Sequence, residues 1–233
     1  MGPTLSPRKK RVIFMRYDAV IFDLDGTLLN TLDDLAAAVN AALTACGYPT
    51  RTLDEVRAFV GNGVAKLIHR AVPAGTTPEE EARCLERFRA HYLVHMRDQT
   101  APYSGILPLL DALQQTGIAV AVVSNKFDAA VKELCRDYFG PRVPVALGES
   151  PSVRKKPAPD TVFAALRALD VPADRAVYVG DSDVDIETAR NAGTACISVS
   201  WGFRDSAFLY AHGASCIADT PQALAALLLT PEA

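Results

Sequence analysis

Short apolar runs separated by helical patterns constrain the fold of this chain more than any other feature. Each run is almost continuously apolar instead of alternating with polar residues, which is typical of strands buried on both faces of a parallel sheet. The runs lie at residues 18–24, 118–125, 143–148, 176–181 and 195–200. Helical patterns separate most of them, and strands that alternate with helices predict right-handed crossovers. We therefore expect an α/β fold with a doubly wound, Rossmann-like parallel sheet.

The interval between the first two runs breaks this alternation. Residues 31–105 show no strand signal and only helical patterns, with Thr31, Thr52 and Thr77 placed as helix N-caps. An all-helical insertion that enters directly after the first strand predicts a small separate domain above the sheet. The expected organisation is a leader at 1–15, a core domain at 16–30 and 104–233, and a helical cap domain at 31–103.

Composition and charge exclude several classes of protein. The chain has 233 residues, 49% of them hydrophobic, and its net charge of −3 gives no basic surface for nucleic acid. Five scattered cysteines without a CxxC pair favour reduced thiols over a disulfide framework or a zinc site. No apolar run reaches the roughly 18 residues that span a bilayer. The basic cluster at 8–11 is interpreted as part of a disordered leader. We expect a cytoplasmic monomer or homodimer without nucleic-acid or membrane partners.

Two aspartates follow the first apolar run, in the stretch AVIFDLDGTLLN. Asp23 and Asp25 are two positions apart, so their carboxylates point the same way from an extended chain and repel each other. Ligands bind open parallel sheets at the carboxyl ends of the strands. There, Ser124 and Asn125 end the second run, GDSDVD ends the fourth, and a lysine of RKKPAPD lies nearby. A hard cation would neutralise these carboxylates, and Mg²⁺ fits because it prefers oxygen ligands.

A division of labour explains why both aspartates are needed. One carboxylate can attack phosphorus and form an aspartyl phosphate that water later breaks. The other can deliver a proton to the departing oxygen and then remove one from water. Asp25 faces the same crevice as Asp23 and is suited to the second task. Gly26 lets the chain turn sharply away, which leaves the carboxyl group of Asp25 free.

Four motifs, in this order, resemble the haloacid dehalogenase superfamily of phosphohydrolases: DLDGT, the Ser-Asn pair, KPAPD and GDSDVD. The similarity covers the chain beyond about residue 15, and the insertion looks like the small helical cap of that family. Within the superfamily the chain looks most like the phosphoglycolate phosphatases, through VGNGVAKLIHRAV, SNK and SWGF. Two positions depart from the pattern. Asn30 stands where relatives often carry Asp, and Lys155 precedes Lys156, which we choose because a proline follows it.

The resemblance implies roles for the acidic residues. Asp23 is expected to be the nucleophile and a Mg²⁺ ligand. Asp25 is expected to be the general acid and base, and its backbone carbonyl is expected to bind the metal as well. Asp181 is expected to ligate Mg²⁺ directly, whereas Asp185 is expected to orient it through water.

The substrate-binding residues are expected to come from both domains. The resemblance implies that Ser124 and Lys156 hold the transferring phosphoryl group, and Asn125 is expected beside them. In the cap, the glycines of the loop formed by Gly61, Asn62 and Gly63 would let backbone N–H groups approach an anion. Arg70 lies farther along and has two interpretations, a partner for a substrate carboxylate or a solvated side chain. The loop itself has a simpler interpretation as a helix-breaking turn.

The resemblance implies a magnesium-dependent phosphatase that acts on a small phosphorylated metabolite, with 2-phosphoglycolate as the preferred substrate. A sugar phosphomutase of the beta-phosphoglucomutase type would keep every core motif and remains an alternative. Sugar phosphates, nucleotides and pyrophosphate are the other open substrates. A non-catalytic phosphate-binding protein is disfavoured because binding alone needs no nucleophile. A true dehalogenase is disfavoured because Asp25 carries a carboxylate.

Several other polar or aromatic residues have simpler interpretations. Asp183 is expected to be a helix cap or turn residue. His91 and His95 lie four positions apart and could bind zinc, but HYLVH lacks the glutamate of H-E-x-x-H, so a surface or cap-core pair is preferred. The Trp201–Gly202 pair is open between core packing and a loop that lines the site.

Overall fold

Eight strands are present in the part of the chain that the computed structural model describes, residues 16–151 and 153–231. The predicted leader with its basic cluster lies outside these residues. In chain order the strands are β1 (Ala19–Phe22), β2 (Leu29–Asn30), β3 (Ala101–Pro102), β4 (Ala119–Phe127), β5 (Val145–Glu149), β6 (Ala176–Gly180), β7 (Ala195–Val199) and β8 (Ile217–Ala218).

Six of these strands form one parallel sheet in the order β5-β4-β1-β6-β7-β8. The order places β1 near the middle, between β4 and β6, and the chain crosses over on both sides of it. This confirms the predicted doubly wound α/β fold. The sequence did not predict β8, because a strand of two residues is too short to show an apolar pattern.

Alternate side chains of β1 enter two different hydrophobic cores. Val20 and Phe22 pack into the larger core, whereas Ala19 and Ile21 pack into a smaller core on the other face of the sheet. All four are fully buried. The continuous apolar pattern therefore has a direct cause: helices cover both faces, so neither set of side chains meets water.

Ten α-helices surround or extend the sheet within the described residues. In chain order they are α1 (Leu32–Ala45), α2 (Leu53–Phe59), α3 (Val64–Ala71), α4 (Pro78–His95), α5 (Ile106–Thr116), α6 (Asp128–Phe139), α7 (Asp160–Leu169), α8 (Asp183–Ala192), α9 (Ser206–Ala211) and α10 (Pro221–Leu228). No helix in these ranges is both long and apolar enough to cross a membrane.

Helices α1–α4 form the insertion between β1 and β4. Thr52 and Thr77 make the capping boxes that the sequence predicts. Two details differ from the expectation. The short antiparallel pair β2–β3 closes the base of the insertion, although no strand was expected there, because two-residue strands leave no pattern. Thr31 makes no capping bond, because its hydroxyl donates to the Asp25 carboxylate. The exact domain boundaries stay a prediction.

Candidate active site

A cavity lies at the carboxyl ends of the central strands, under the insertion. The core contributes most of the residues predicted for the site, and the loop between α2 and α3 contributes two more. The predicted residues that line the cavity are Asp23, Asp25, Ser124, Asn125, Lys156 and Asp181 from the core, with Gly61 and Gly63 from the insertion. The topology therefore brings together segments that are far apart in the sequence.

The Lys156 ammonium group connects three core side chains beneath this cavity. Its Nζ donates to Asp23 Oδ1 at 2.8 Å, to Asp185 Oδ1 at 2.8 Å and to the Tyr178 hydroxyl at 3.0 Å. Burial opposes the charge of the ammonium, but Asp185 and Asp23 outweigh it and raise the pKa of Lys156 above its usual range. The choice of Lys156 over Lys155 agrees with this geometry, since Lys155 pairs with Glu149 at the rim.

Three buried carboxylates, those of Asp23, Asp181 and Asp185, each offer an oxygen, and these oxygens lie within 4.8 Å of one another. They share the single charge of Lys156, and Asp181 forms no ion pair with any described residue. Burial and the neighbouring carboxylates raise the pKa of Asp181 well above its usual range. Burial, with contributions from Asp185 and Asp25, raises the pKa of Asp23 to about 7, although Lys156 acts in the opposite direction. Such a cluster of oxygen donors with excess negative charge suits Mg²⁺.

Two glycines, at positions 26 and 202, let backbone segments pack closely against Asp181. Gly26 has a φ of +86°, and a Cβ there would overlap the Asp181 carboxylate. A Cβ at Gly202 would collide with both the Gly26 carbonyl and Asp181. The Phe203 N–H donates to Asp181 Oδ2 at 2.6 Å. The loop after β7 is therefore packed directly against the acidic cluster.

Ser182 and Asp185 form a capping box at the start of α8. Asp185 Oδ2 accepts from the Ser182 hydroxyl at 2.6 Å and from the Ser182 N–H at 3.1 Å. These bonds leave Oδ1 for Lys156. Asp183 occupies the first turn of the same helix and is not part of the acidic cluster, in agreement with the simpler interpretation of this residue.

Asp25 lines the same cavity but has a separate set of side-chain contacts and is not part of the acidic cluster. Its Oδ1 accepts from Lys126 Nζ at 2.6 Å and from the Thr31 hydroxyl at 2.7 Å. The Lys126 side chain is only 3% exposed, and its Nζ lies 4.7 Å from the centre of the Tyr92 ring. No role for Lys126 was expected from the sequence. Its spacing of two from Ser124, which puts both side chains on one face of the strand, was the available signal.

The end of β4 is irregular, and this irregularity orients Ser124, Asn125 and Lys126. The pairing of β4 with β5 shifts register between Val123 and Phe127, and such shifts often re-aim side chains beside active sites. Asn125 accepts from the Lys156 N–H at 2.8 Å and donates to the Lys156 carbonyl at 3.0 Å. It thereby fixes the loop that carries Lys156.

The loop between α2 and α3 contacts the core from above. Asn125 Nδ2 lies 3.2 Å from the Gly61 carbonyl, which accepts its hydrogen bond. Asn62, predicted as a substrate ligand, does not line the cavity, because its Oδ1 accepts from Arg70 at 2.8 Å. Arg70 also donates to the Phe59 carbonyl at 2.7 Å. Arg70 therefore braces the loop while its side chain stays exposed, in agreement with a solvated arginine. Its pairing with a substrate carboxylate stays a prediction.

Arg204, which the sequence analysis missed, joins the core to the insertion. Its guanidinium donates to the carbonyls of Arg57, Ala58 and Val60 at 2.8, 3.3 and 3.0 Å. These carbonyls lie at the end of α2, where a helix leaves its last acceptors without intrahelical donors. A side chain from the loop after β7 therefore completes a helix of the cap.

The remaining candidates lie outside the site or support its frame. The rings of His91 and His95 stack with centroids 4.3 Å apart, and His95 pairs with Asp98. Neither histidine belongs to the acidic cluster, in agreement with a surface or cap-core pair. The Trp201 indole donates to the Thr27 carbonyl at 3.0 Å, so the loop it begins supports the turn that follows Asp25.

The doubly wound sheet, the helical insertion after its first strand and the acidic crevice at the strand ends define a capped Rossmann-like enzyme. The chain belongs to the haloacid dehalogenase-like hydrolases, whose family model matches residues 20–199. Over 190 residues it is 36% identical to the phosphoglycolate phosphatase of Pseudomonas savastanoi pv. phaseolicola, which covers 79% of this chain and 70% of that protein. The predicted family is thereby confirmed.

Solved structures agree with this assignment. The crystal structure of a candidate phosphoglycolate phosphatase from Lactobacillus delbrueckii subsp. bulgaricus superposes with a TM-score of 0.88 and 38% identity, covering 92% of this chain and 99% of that one. A CbbY mutant from Rhodobacter sphaeroides, in complex with xylulose-1,5-bisphosphate, superposes with a TM-score of 0.67 and 30% identity, covering 88% and 95%. The prediction of an enzyme similar to phosphoglycolate phosphatases, which are phosphoric monoester hydrolases, is confirmed.

Proposed function

We propose that this protein is a magnesium-dependent phosphatase of the cytoplasm that hydrolyses 2-phosphoglycolate through an aspartyl phosphate. One observation carries the proposal. Two carboxylates that are two positions apart on the chain lie in two different settings. Asp23 contacts Lys156 within the acidic cluster, and Asp25 contacts Lys126 and Thr31. Carboxylates in unlike environments are suited to unlike roles in one reaction.

In the first step, an Asp23 carboxylate oxygen attacks the phosphorus of the substrate. A bond forms between that oxygen and phosphorus, and the ester bond breaks with its electron pair moving to the leaving oxygen. Asp25 supplies the proton that makes this oxygen a hydroxyl group. The Lys156 charge and the Ser124 hydroxyl stabilise the negative charge on the other phosphoryl oxygens.

In the second step, water attacks the phosphorus of the aspartyl phosphate and Asp25 accepts its proton. The bond between phosphorus and Asp23 breaks, which releases phosphate and restores both carboxylic groups to their starting states. The contacts of Asp25 with Lys126 and Thr31 hold it at a fixed position for both proton transfers.

The residues suited to hold Mg²⁺ are Asp23, Asp181, Asp185 and the backbone carbonyl of Asp25. When bound, the ion would neutralise the acidic cluster and polarise the phosphoryl group as a Lewis acid. The Phe203 N–H and the Ser182 capping box fix two of these carboxylates beforehand. Fixed ligands reduce the rearrangement that metal binding requires.

Three observations support a small substrate with two anionic groups, a phosphate and a carboxylate. The cavity has a volume of about 50 Å³, which is room for a few water-sized groups. Lys126, Lys156 and Arg204 line it, so positive charge is present beyond the phosphoryl position. The Pseudomonas relative is a phosphoglycolate phosphatase. A monomer or homodimer remains the expected assembly.

A second candidate substrate class is a sugar phosphate. The likeness to CbbY, whose mutant binds xylulose-1,5-bisphosphate, favours it, and a phosphomutase would keep the same core residues. A phosphomutase would need a sugar bisphosphate as activator and would return the phosphoryl group to a sugar. A sugar phosphatase would prefer a sugar bisphosphate over 2-phosphoglycolate.

The test compares kcat/KM for 2-phosphoglycolate, glycerol phosphate, hexose phosphates, xylulose-1,5-bisphosphate, nucleotides and pyrophosphate, with and without Mg²⁺. We expect 2-phosphoglycolate to be the best substrate and activity to vanish with a chelator. A different substrate whose kcat/KM is about tenfold higher, equivalent to about 1.4 kcal/mol of transition-state binding, would contradict the assignment of 2-phosphoglycolate as the substrate. Full activity in the chelator would overturn the metal dependence.

A further inference from the structure

Three cations line the cavity among the described residues, and they differ in how fully their donors are used. Lys156 donates to two carboxylates and a hydroxyl. Arg204 donates to four backbone carbonyls, one of them that of its neighbour Phe203. Lys126 has a single carboxylate partner among the described residues, Asp25. Lys126 is therefore the cation best able to take a second anion.

The surroundings of Lys126 keep its ammonium charged and leave that charge available. The Lys126 side chain is only 3% exposed, and its Nζ lies 2.6 Å from the Asp25 carboxylate, a partner that favours the charged form of the ammonium. On the other side lies the face of the Tyr92 ring, which attracts a cation without neutralising it. The ring is fixed by stacking on Phe88, with centroids 5.5 Å apart, and by an edge contact with Phe127 at 6.3 Å.

The place of Lys126 follows from the chemistry of the leaving group. A general acid must lie within hydrogen-bond reach of the leaving oxygen, and Lys126 Nζ lies 2.6 Å from Asp25 Oδ1. In 2-phosphoglycolate the carboxylate is attached to the carbon next to that oxygen. When Asp25 meets the leaving oxygen, an ammonium group that contacts Asp25 and lines the same cavity would be within reach of that carboxylate.

We propose that Lys126 is a specificity-determining residue that binds the carboxylate of the substrate. This inference rests on the proposed function and adds the residue that selects an anionic leaving group. A charge-assisted hydrogen bond in a buried site is stronger than one in water. A substrate with a hydroxymethyl or methyl group at this position leaves the second interaction of Lys126 unmade, so it should be turned over more slowly.

The experiment measures the ratio of kcat/KM for 2-phosphoglycolate to kcat/KM for 2-hydroxyethyl phosphate, in which a hydroxymethyl group replaces the carboxylate. The variants are Lys126→Met, which removes the charge, and Lys126→Arg, which keeps it. Lys155→Met is the matched control, because Lys155 is the neighbouring lysine at the rim and pairs with Glu149. Melting curves of each variant with Mg²⁺ check the fold.

We expect Lys126→Met to lower this ratio about 10- to 100-fold, which is the factor that corresponds to the loss of one hydrogen bond to a charged group. Lys126→Arg should keep most of the ratio, and Lys155→Met should keep all of it. An unchanged ratio in Lys126→Met, with both substrates slowed equally, would show that Lys126 only positions Asp25 and would overturn the inference. If Lys126→Met does not fold, Lys126→Gln decides by the same ratio.

The failure of the proposed function has a different signature. If the wild-type enzyme does not prefer 2-phosphoglycolate over 2-hydroxyethyl phosphate, the proposed substrate is wrong, and the role of Lys126 falls with it. If the wild-type enzyme shows the preference and Lys126→Met keeps it, the substrate stands and the inference about Lys126 alone is wrong.

Discussion

Lys156 and Lys126 are both buried lysines at the end of the same sheet, but they serve different parts of the site. Lys156 contacts the acidic cluster, and all its partners belong to the core. Lys126 contacts Asp25 on one side and Tyr92 of the insertion on the other. The difference indicates a site with two halves. Under the proposed function, the core half would bind the phosphoryl group, which every substrate shares. The half beneath the cap would bind the leaving group, which distinguishes substrates.

Of the variants that test the division between the two halves, Lys156→Met is expected to have the largest effect on activity. The variant removes a charge that stabilises the phosphoryl oxygens, so kcat/KM should fall about 100- to 1,000-fold, the usual cost of losing such a donor. Because every substrate carries the phosphoryl group, the loss should be equal for 2-phosphoglycolate and 2-hydroxyethyl phosphate. Steady-state kinetics with both substrates measures it. A loss that differs between them by more than about tenfold would break the proposed division.

The excess negative charge of the core half, which the other half lacks, predicts that the stability of the metal-free protein depends on pH. The pKa of Asp23 is raised from 3.8 to about 7, so the folded protein binds this proton more tightly than the unfolded chain. Its contribution to the free energy of unfolding is full below pH 3.8 and is lost as the pH rises to about 7. The slope is at most about 1.4 kcal/mol per pH unit for one proton.

Thermal melting in a chelator, from about pH 5 to about pH 7, measures this effect. The melting temperature of the wild-type protein should fall over this range, and Mg²⁺ should remove most of the fall by neutralising the cluster. Asp23→Asn, which cannot titrate, should show a smaller fall. If the wild-type melting temperature stays constant or rises over this range, in parallel with that of Asp23→Asn, the pKa of Asp23 is not raised by the acidic cluster.

The smallest effect concerns the connection between the two halves. Arg204→Gln removes core donors from the end of α2, so the cap should be held less firmly over the site and KM should rise about tenfold, with a smaller change in kcat. Arg57→Gln is the control, because the Arg57 side chain pairs with Asp54 at the surface and only its carbonyl meets Arg204. Equal KM values for the two variants would mean that the Arg204 contacts do not hold the cap over the site.

The core half could be predicted from the sequence because short segments encode it. Asp23, Ser124 and Asp181 each end an apolar run, and parallel strands bring their carboxyl ends to one edge of the sheet. Helix patterns with N-caps likewise gave most helices, and the family motifs added Lys156 and Asp185. These signals are local, so they survive without knowledge of the tertiary structure.

The half beneath the cap was harder to predict because its contacts depend on packing between distant segments. A lysine near the end of a strand usually indicates a solvated side chain, so the spacing of Lys126 from Ser124 indicated only a shared face of the strand. It did not indicate burial against Asp25 and Tyr92. Arg204 binds backbone carbonyls more than 140 residues away, and carbonyls leave no trace in a sequence. Thr31 matched a helix cap in sequence, but the hydroxyl is used by Asp25 instead.

The most direct test of the central claim is to find the phosphoryl group on the protein during turnover. The wild-type enzyme and Asp25→Asn are mixed with 2-phosphoglycolate and Mg²⁺, quenched in acid, reduced with borohydride and digested for mass spectrometry. We expect Asp23 to be the modified residue and the modified fraction to be higher in Asp25→Asn, because breakdown lacks its base. Asp23→Asn should give no modified peptide. Phosphorylation of another residue, or no modification in Asp25→Asn while glycolate is formed, would contradict the aspartyl-phosphate mechanism.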